Sequence, residues 1–89
     1  MTDKKEMREY LLDRLTKLTA DDVEEFVKDL CTYSEIENMA QRLYSAKLLL
    51  EGKTYAQVIE ETQISTATLS RVSACVKHGD GGYCKVIEK

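Results

Sequence analysis

Apolar residues along this chain recur at intervals of three and four, the repeat of helices with an inward face, and do not settle into the alternation of half-buried strands. Met7, Leu11, Leu15 and Leu18, with Tyr10 beside them, mark a first helix that Thr2 is placed to cap. Thr19 opens a second. Asp21 and Asp22 fall in its first turn, where carboxylates meet the positive end of the helix dipole, and Val23, Phe26, Val27 and Leu30 form its inner face. Thr32 and Glu35 have the spacing of a capping box, opening a third helix with Ile36, Met39, Ala40, Leu43 and Leu50 inward. Gly52 ends it as a left-handed cap. Thr54 and Gln57 repeat the capping-box spacing and start a short helix with Val58 and Ile59 inward. Ser65 caps a fifth helix from Thr66 to about Lys77, with Leu69, Val72 and Val76 on its inner side, and the Gly79-Asp80-Gly81-Gly82 cluster stops it. Residues 83–89 read as a tail without an assigned element, with Tyr83 able to pack it back onto the fifth helix.

The first two helices are short, amphipathic and nearly without an intervening loop, so a single copy leaves much of their apolar surface wet. Dimerisation through residues 1–53 is the expectation. The alternative is one five-helix globule.

Composition agrees with an all-α fold: 89 residues with no proline, four glycines, 33% charged and 43% hydrophobic. That length holds one small domain, here 1–53 for dimerisation, 54–78 for the motif described next and 79–89 for the turn and tail. It excludes a multidomain enzyme. The longest aliphatic run is Leu48-Leu49-Leu50, and the charged stretch from Thr2 to Glu6 is followed by no apolar segment, so neither a membrane span nor a secretion signal is expected. Three cysteines, an odd number, read as reduced thiols of a cytoplasmic protein.

A formal net charge of -3 argues against coating nucleic acid by bulk charge, but the charge is unevenly spread. Residues 1–31 hold six basic and nine acidic groups, 32–63 three and five, and 64–89 four and two. Only the last third is locally basic.

Residues 54–72 carry the most information. Two short helices joined by a three-residue turn, with Ile64 plugging the space between them, resemble a helix-turn-helix. With Val58, Ile59, Ile64, Leu69 and Val72 inward, Thr66, Ala67, Thr68, Ser70 and Arg71 are left outward, small and polar enough for a helix to enter the major groove of double-stranded DNA. Thr66, Ala67, Ser70 and Arg71 are the candidate base readers, and Thr54, Tyr55, Gln57, Ser65 and Thr68 the candidate backbone contacts. Tyr55 is either a phosphate-bonding hydroxyl or an anchor for the loop after Gly52.

The stretch from Leu-Cys-Thr-Tyr-Ser-Glu-Ile-Glu-Asn-Met-Ala-Gln-Arg-Leu at 30–43, through Leu-Leu-Leu-Glu-Gly-Lys, to Ser-Thr-Ala-Thr-Leu-Ser-Arg-Val at 65–72 resembles the Trp repressor superfamily. The trailing Gly-Asp-Gly-Gly-Tyr at 79–83 is similar to its YerC/YecD-like branch. The resemblance implies an all-helical, intertwined homodimer that regulates transcription, as a repressor, with recognition helices about one turn of DNA apart. It also implies that an effector pocket maps onto Thr32, Arg42 and Arg71. Val72 stands where the family's tryptophan binders have glycine, and its methyls take space an indole needs, so tryptophan is not the expected effector; another small molecule, or none, stays open. Two further departures bear on the motif: Ile59 where alanine is usual, and Gln63 at the turn glycine, where left-handed backbone costs about 1 kcal/mol.

Other chemistry finds little support. Cys75, His78 and Cys84 could be zinc ligands, but no fourth ligand is near and lone cysteines on helices are commonly small core residues. The Gly79–Gly82 cluster lacks the strand and the Lys-Ser or Lys-Thr of a phosphate loop. One histidine and no nucleophile paired with a base point away from catalysis, and no cofactor is expected. The acidic run Asp21, Asp22, Glu24 and Glu25 reads as a wet face. The function this predicts is sequence-specific DNA binding; the rival is a dimeric protein-interaction module whose helix-turn-helix no longer binds DNA.

Overall fold

Six helices and no strand make up the computed structural model, which describes residues 1–89 and divides into two units, Met1–Tyr33 and Ser34–Lys89. None of the six is long and apolar enough to cross a membrane.

The first unit holds α1 (Lys4–Thr16) and α2 (Ala20–Leu30). Asp3, not Thr2, caps α1: its carboxylate accepts the Glu6 N–H at 2.8 Å, adding a full charge at the dipole's positive end that a threonine lacks. Thr19 precedes α2 as expected, and the Asp22 carboxylate reaches back to accept from its N–H at 3.1 Å and its hydroxyl at 3.0 Å. Neither helix contains a buried side chain. Phe26 and Val27 are half-buried, but Val23 and Leu30 are exposed, and the apolar residues of α1 are spread around it, with Leu12 exposed beside the Leu11–Leu15 stripe.

Helix α3 (Tyr33–Leu50), which lies in the second unit from Ser34 onward, starts directly after Thr32, with Glu35 in its first turn. Its inner side is a correction to the sequence pattern. Ser45, Ala46 and Leu48 are buried, whereas Met39, Ala40, Leu43 and Leu50 face outward and Ile36 is half-buried. The side that α3 turns to the core thus pairs two small residues with Leu48, and its other large apolar residues lie on the remaining sides. The helix ends in a Schellman motif: Gly52 at φ +89° donates to Leu49 O at 3.0 Å and Lys53 donates to Leu48 O at 3.1 Å.

Next come α4 (Tyr55–Thr62), α5 (Thr66–His78) and α6 (Gly82–Ile87). Residues 83–87, expected as tail, join Gly82, the last residue of the glycine cluster, in this sixth helix. A Cβ on Gly79 would meet Cys75 O at 2.5 Å, so the chain leaves α5 through a passage only glycine fits. The core is Ala46, Leu48, Val58, Ile64, Leu69 and Val72, with Leu49, Ile59, Val76, Tyr83 and Ile87 packed against it. Tyr83 thus ties α6 down, as its position suggested. Each fully buried Val, Leu or Ile removes enough apolar surface from water to stabilise by about 1.5–3 kcal/mol.

Candidate nucleic-acid interface

Helix α4 begins where Thr54 and Gln57 exchange caps: Gln57 N–H donates to Thr54 Oγ1 at 3.2 Å, and Thr54 N–H donates to Gln57 Oε1 at 2.9 Å. The chain then turns through Gln63, whose φ of +61° is the left-handed geometry expected of the residue replacing the turn glycine. Two bonds hold it there: its N–H reaches Ile59 O at 2.9 Å and its Nε2 reaches Glu60 O at 2.9 Å. Ile64 follows, almost wholly buried, and plugs the angle between α4 and α5. Ile59, in place of the usual alanine, is half-buried against the same core.

Ser65 caps α5, accepting the Thr68 N–H at 3.2 Å and donating its own proton to Thr68 Oγ1 at 2.9 Å. That bond leaves the Thr68 hydroxyl proton for another acceptor. Burial splits α5 by face: Leu69, Val72 and Ser73 are buried, while Thr66, Ala67, Ser70 and Arg71 are exposed. A helix fixed on one side with short polar groups and one guanidinium on the other can place side chains against base edges. Of the candidate backbone contacts, Ser65, Thr54, Gln57 and Tyr55 are exposed and Thr68 half-buried. Thr54 and Gln57 are already committed to the cap of α4, so the hydroxyl proton of one and the amide protons of the other are what they can offer a phosphate.

Cations near the motif are few. Lys47 lies 2.8 Å from Glu51 and 5.0 Å from the centre of the Tyr44 ring, and its hydrogen bond to Glu51 holds its pKa above the usual lysine value. Lys53 and Lys77 are exposed at the two ends of the motif, and Arg71 between them.

Beside α5 a groove of about 600 Å³ is lined by Arg42, Ala67, Thr68, Arg71, Val72, Cys75 and Tyr83. The structure brings Arg42 and Arg71, the two arginines of the expected effector pocket, to one cavity. Thr32 belongs to the first unit and is no part of this lining. Val72 borders the groove with its side chain sunk in the core. Cys75 lines it too, Cys84 is half-buried with its Sγ 4.0 Å from Val76 O, and nowhere do three His, Cys, Asp or Glu side chains gather as metal ligands would.

Two features escaped the sequence pattern. Tyr83 enters the groove from α6, a helix whose six residues give too short a period to detect. Thr62, Ser45 and Gln41 form a polar knot between α3 and α4. Polar residues at core-facing helical positions were its only sign.

Comparison with known proteins agrees with this geometry. The family described as Trp repressor protein matches residues 6–89. The uncharacterized protein YerC of Bacillus subtilis (strain 168) is 44% identical over 75 residues, covering 81% of this chain and 72% of that protein. Among solved structures, a TrpR-like protein from Eubacterium eligens ATCC 27750 superposes with a TM-score of 0.79 at 35% identity, over 97% of this chain and 89% of that one. A Trp repressor candidate from Staphylococcus aureus gives 0.78 at 32% identity, over 99% and 93%. With an α5 buried on one side and polar on the other, a left-handed turn before it and a match over nearly its whole length, the chain belongs to the Trp repressor family.

Proposed function

We propose that this protein is a homodimeric, sequence-specific DNA-binding repressor of the cytoplasm that excludes polymerase from overlapping sites and catalyses no reaction. The observation that carries the reading is the division of α5: Leu69, Val72 and Ser73 anchor it, and Thr66, Ala67, Ser70 and Arg71 stand free on its outer side. Arg71 forks onto guanine or a phosphate, Ala67 meets a thymine methyl, and Thr66 and Ser70 bond base edges. Thr54, Tyr55, Gln57, Ser65 and Thr68 hold the backbone. The dimer supplies the second helix and doubles the small number of cations each copy offers, so affinity falls steeply with salt. Arg42 and Arg71 form the effector groove, where the packed Val72 disfavours an indole and admits a smaller effector.

A gel-shift titration against a random-sequence DNA pool at low salt, followed by selection from a genomic library, tests this. Wild-type protein retains a specific fragment; Arg71→Ala weakens that binding by about 1–3 kcal/mol and leaves the melting temperature unchanged. Equal loss of fold and binding makes Arg71 structural. No retained fragment well above micromolar protein favours the protein-docking module, a reading that draws on the net charge of -3. Tight tryptophan binding in calorimetry overturns the Val72 argument.

A further inference from the structure

We propose that Thr62 is the positioning residue of the reading head: its hydroxyl and carbonyl fix the direction of α4 and α5 against α3. The hydroxyl is saturated. It donates to Val58 O at 2.8 Å and accepts from Ser45 Oγ at 3.2 Å and from the Ile64 N–H at 3.3 Å. The carbonyl of the same residue accepts from Gln41 Nε2 at 2.9 Å. One residue, the last of α4, therefore touches α3 twice, through Gln41 and Ser45 on a single helix face, and touches the turn once.

Its neighbours explain why this matters. The core cluster of Ala46, Leu48, Val58, Ile64, Leu69 and Val72 is apolar and its attraction without direction, so it holds the helices together without fixing an angle among them. Hydrogen bonds weaken steeply as they bend. Ser45 is wholly buried, and no buried side-chain polar atom lacks a partner, so a rotation of α4 on α3 breaks the bonds that Gln41 and Ser45 make to Thr62. Gln63, next in sequence, is already in the left-handed region and has no slack to absorb such a rotation. Direction set at Thr62 passes through this turn into Thr66, Ala67, Ser70 and Arg71.

The positioning role stands on the structure; its consequence for sequence discrimination rests on the DNA-binding reading. The test compares wild type, Thr62→Ser and the double variant Ser45→Ala with Thr62→Val. Removing both hydroxyls leaves no Ser45 donor stranded and nearly keeps the volume, at the cost of the Ile64 N–H bond to Thr62 Oγ1. Amide residual dipolar couplings across α3 and α5 give the orientation without DNA, and binding to a selected site against random DNA gives discrimination. The double variant reorients α5 relative to α3 and loses about tenfold in the specific-to-random ratio, comparable to one mismatched base pair, while its salt dependence stays as in wild type. Thr62→Ser, which keeps the hydroxyl, behaves as wild type. An unchanged α3–α5 orientation overturns the proposal whether or not DNA binds, and a changed orientation with full discrimination overturns its link to specificity. Should wild type retain no DNA, the regulator reading falls alone and the couplings still judge Thr62. If the double variant fails to fold, Gln41→Ala, which removes only the bond to the carbonyl, takes its place with a smaller change expected in the same direction.

Discussion

Every buried side chain of the protein, from Ser45 to Ser73, lies in the second unit, whereas the first unit buries none although α1 alone carries Met7, Tyr10, Leu11, Leu12 and Leu15. Tyr10 and Leu12 are 68% and 60% exposed, and Leu30 of α2 is 54% exposed. Both units follow the same helical pattern, so the difference lies in what each has to pack against. Residues 34–89 bring four helices around one small core and complete it within a single chain. Residues 1–33 are held instead by local devices, the Asp3 and Asp22 caps and ion pairs such as Lys5–Glu9 and Lys28–Glu24, each worth only tenths to about 1 kcal/mol. The proposed dimer answers this imbalance: a second copy covers what the first unit and the outer side of α3 leave wet.

Truncation in the second unit gives the largest effect. Leu69→Ala removes a fully buried side chain at the centre of the core and costs about 2–5 kcal/mol, read by urea unfolding at any protein concentration. In the first unit the corresponding test is Leu15→Asp. On the dimeric reading it places a charge in the subunit interface and raises the dimer dissociation constant at least about 100-fold, nearly 3 kcal/mol, in sedimentation equilibrium. Wild-type stability then rises with protein concentration, as it must when folding and association are coupled. If Leu15→Asp alters neither sedimentation nor the melting temperature, the leucines of α1 stay wet and the contrast between the units is one of order alone.

These two leucines also mark how far the sequence could be read. Four helix starts were visible because Thr19, Thr32, Thr54 and Ser65 are short polar residues set directly before apolar-periodic stretches, and structure begins α2 to α5 directly after them. Asp3 was missed because Thr2 beside it offers the same chemistry one position early. The side that α3 buries was not legible, since periodicity cannot say which of two apolar sides meets the rest of its own chain, and the buried one carries Ser45 and Ala46 beside Leu48. Gln63 could be placed in left-handed backbone from its position in the motif alone. The meeting of Arg42 with Arg71 was expected by resemblance, while Tyr83 in the same groove depends on α6, whose single turn and a half carries too few residues to show a period.

Gln63 offers a smaller and opposite effect. Gln63→Gly relieves a non-glycine residue at φ +61°, offset by the lost bond to Glu60 O and by the greater freedom of glycine in the unfolded chain. A net gain of about 0.5 kcal/mol is expected in thermal unfolding, without change in oligomeric state. A loss instead shows that the side-chain bond to Glu60, and not the backbone, governs the turn.

The smallest effect belongs to Asp13 in the first unit. Its carboxylate accepts from Arg14 at 2.7 Å and from Lys17 at 3.0 Å, and the bond to Arg14, then that to Lys17, holds its pKa below the ordinary 3.8. A carboxylate that is more acidic folded than unfolded adds stability above its ordinary pKa and loses it as pH falls through the lower, folded value. Wild type and Asp13→Asn therefore differ slightly in melting temperature at neutral pH and converge in acid, and molar salt closes the gap at every pH because the group is exposed. A gap that persists in acid or in salt assigns Asp13 a packing role. Convergence leaves the first unit with charge pairs too weak to order it, so that its stability has to come from apolar cover, and the outcome at Asp13 then sharpens the one at Leu15.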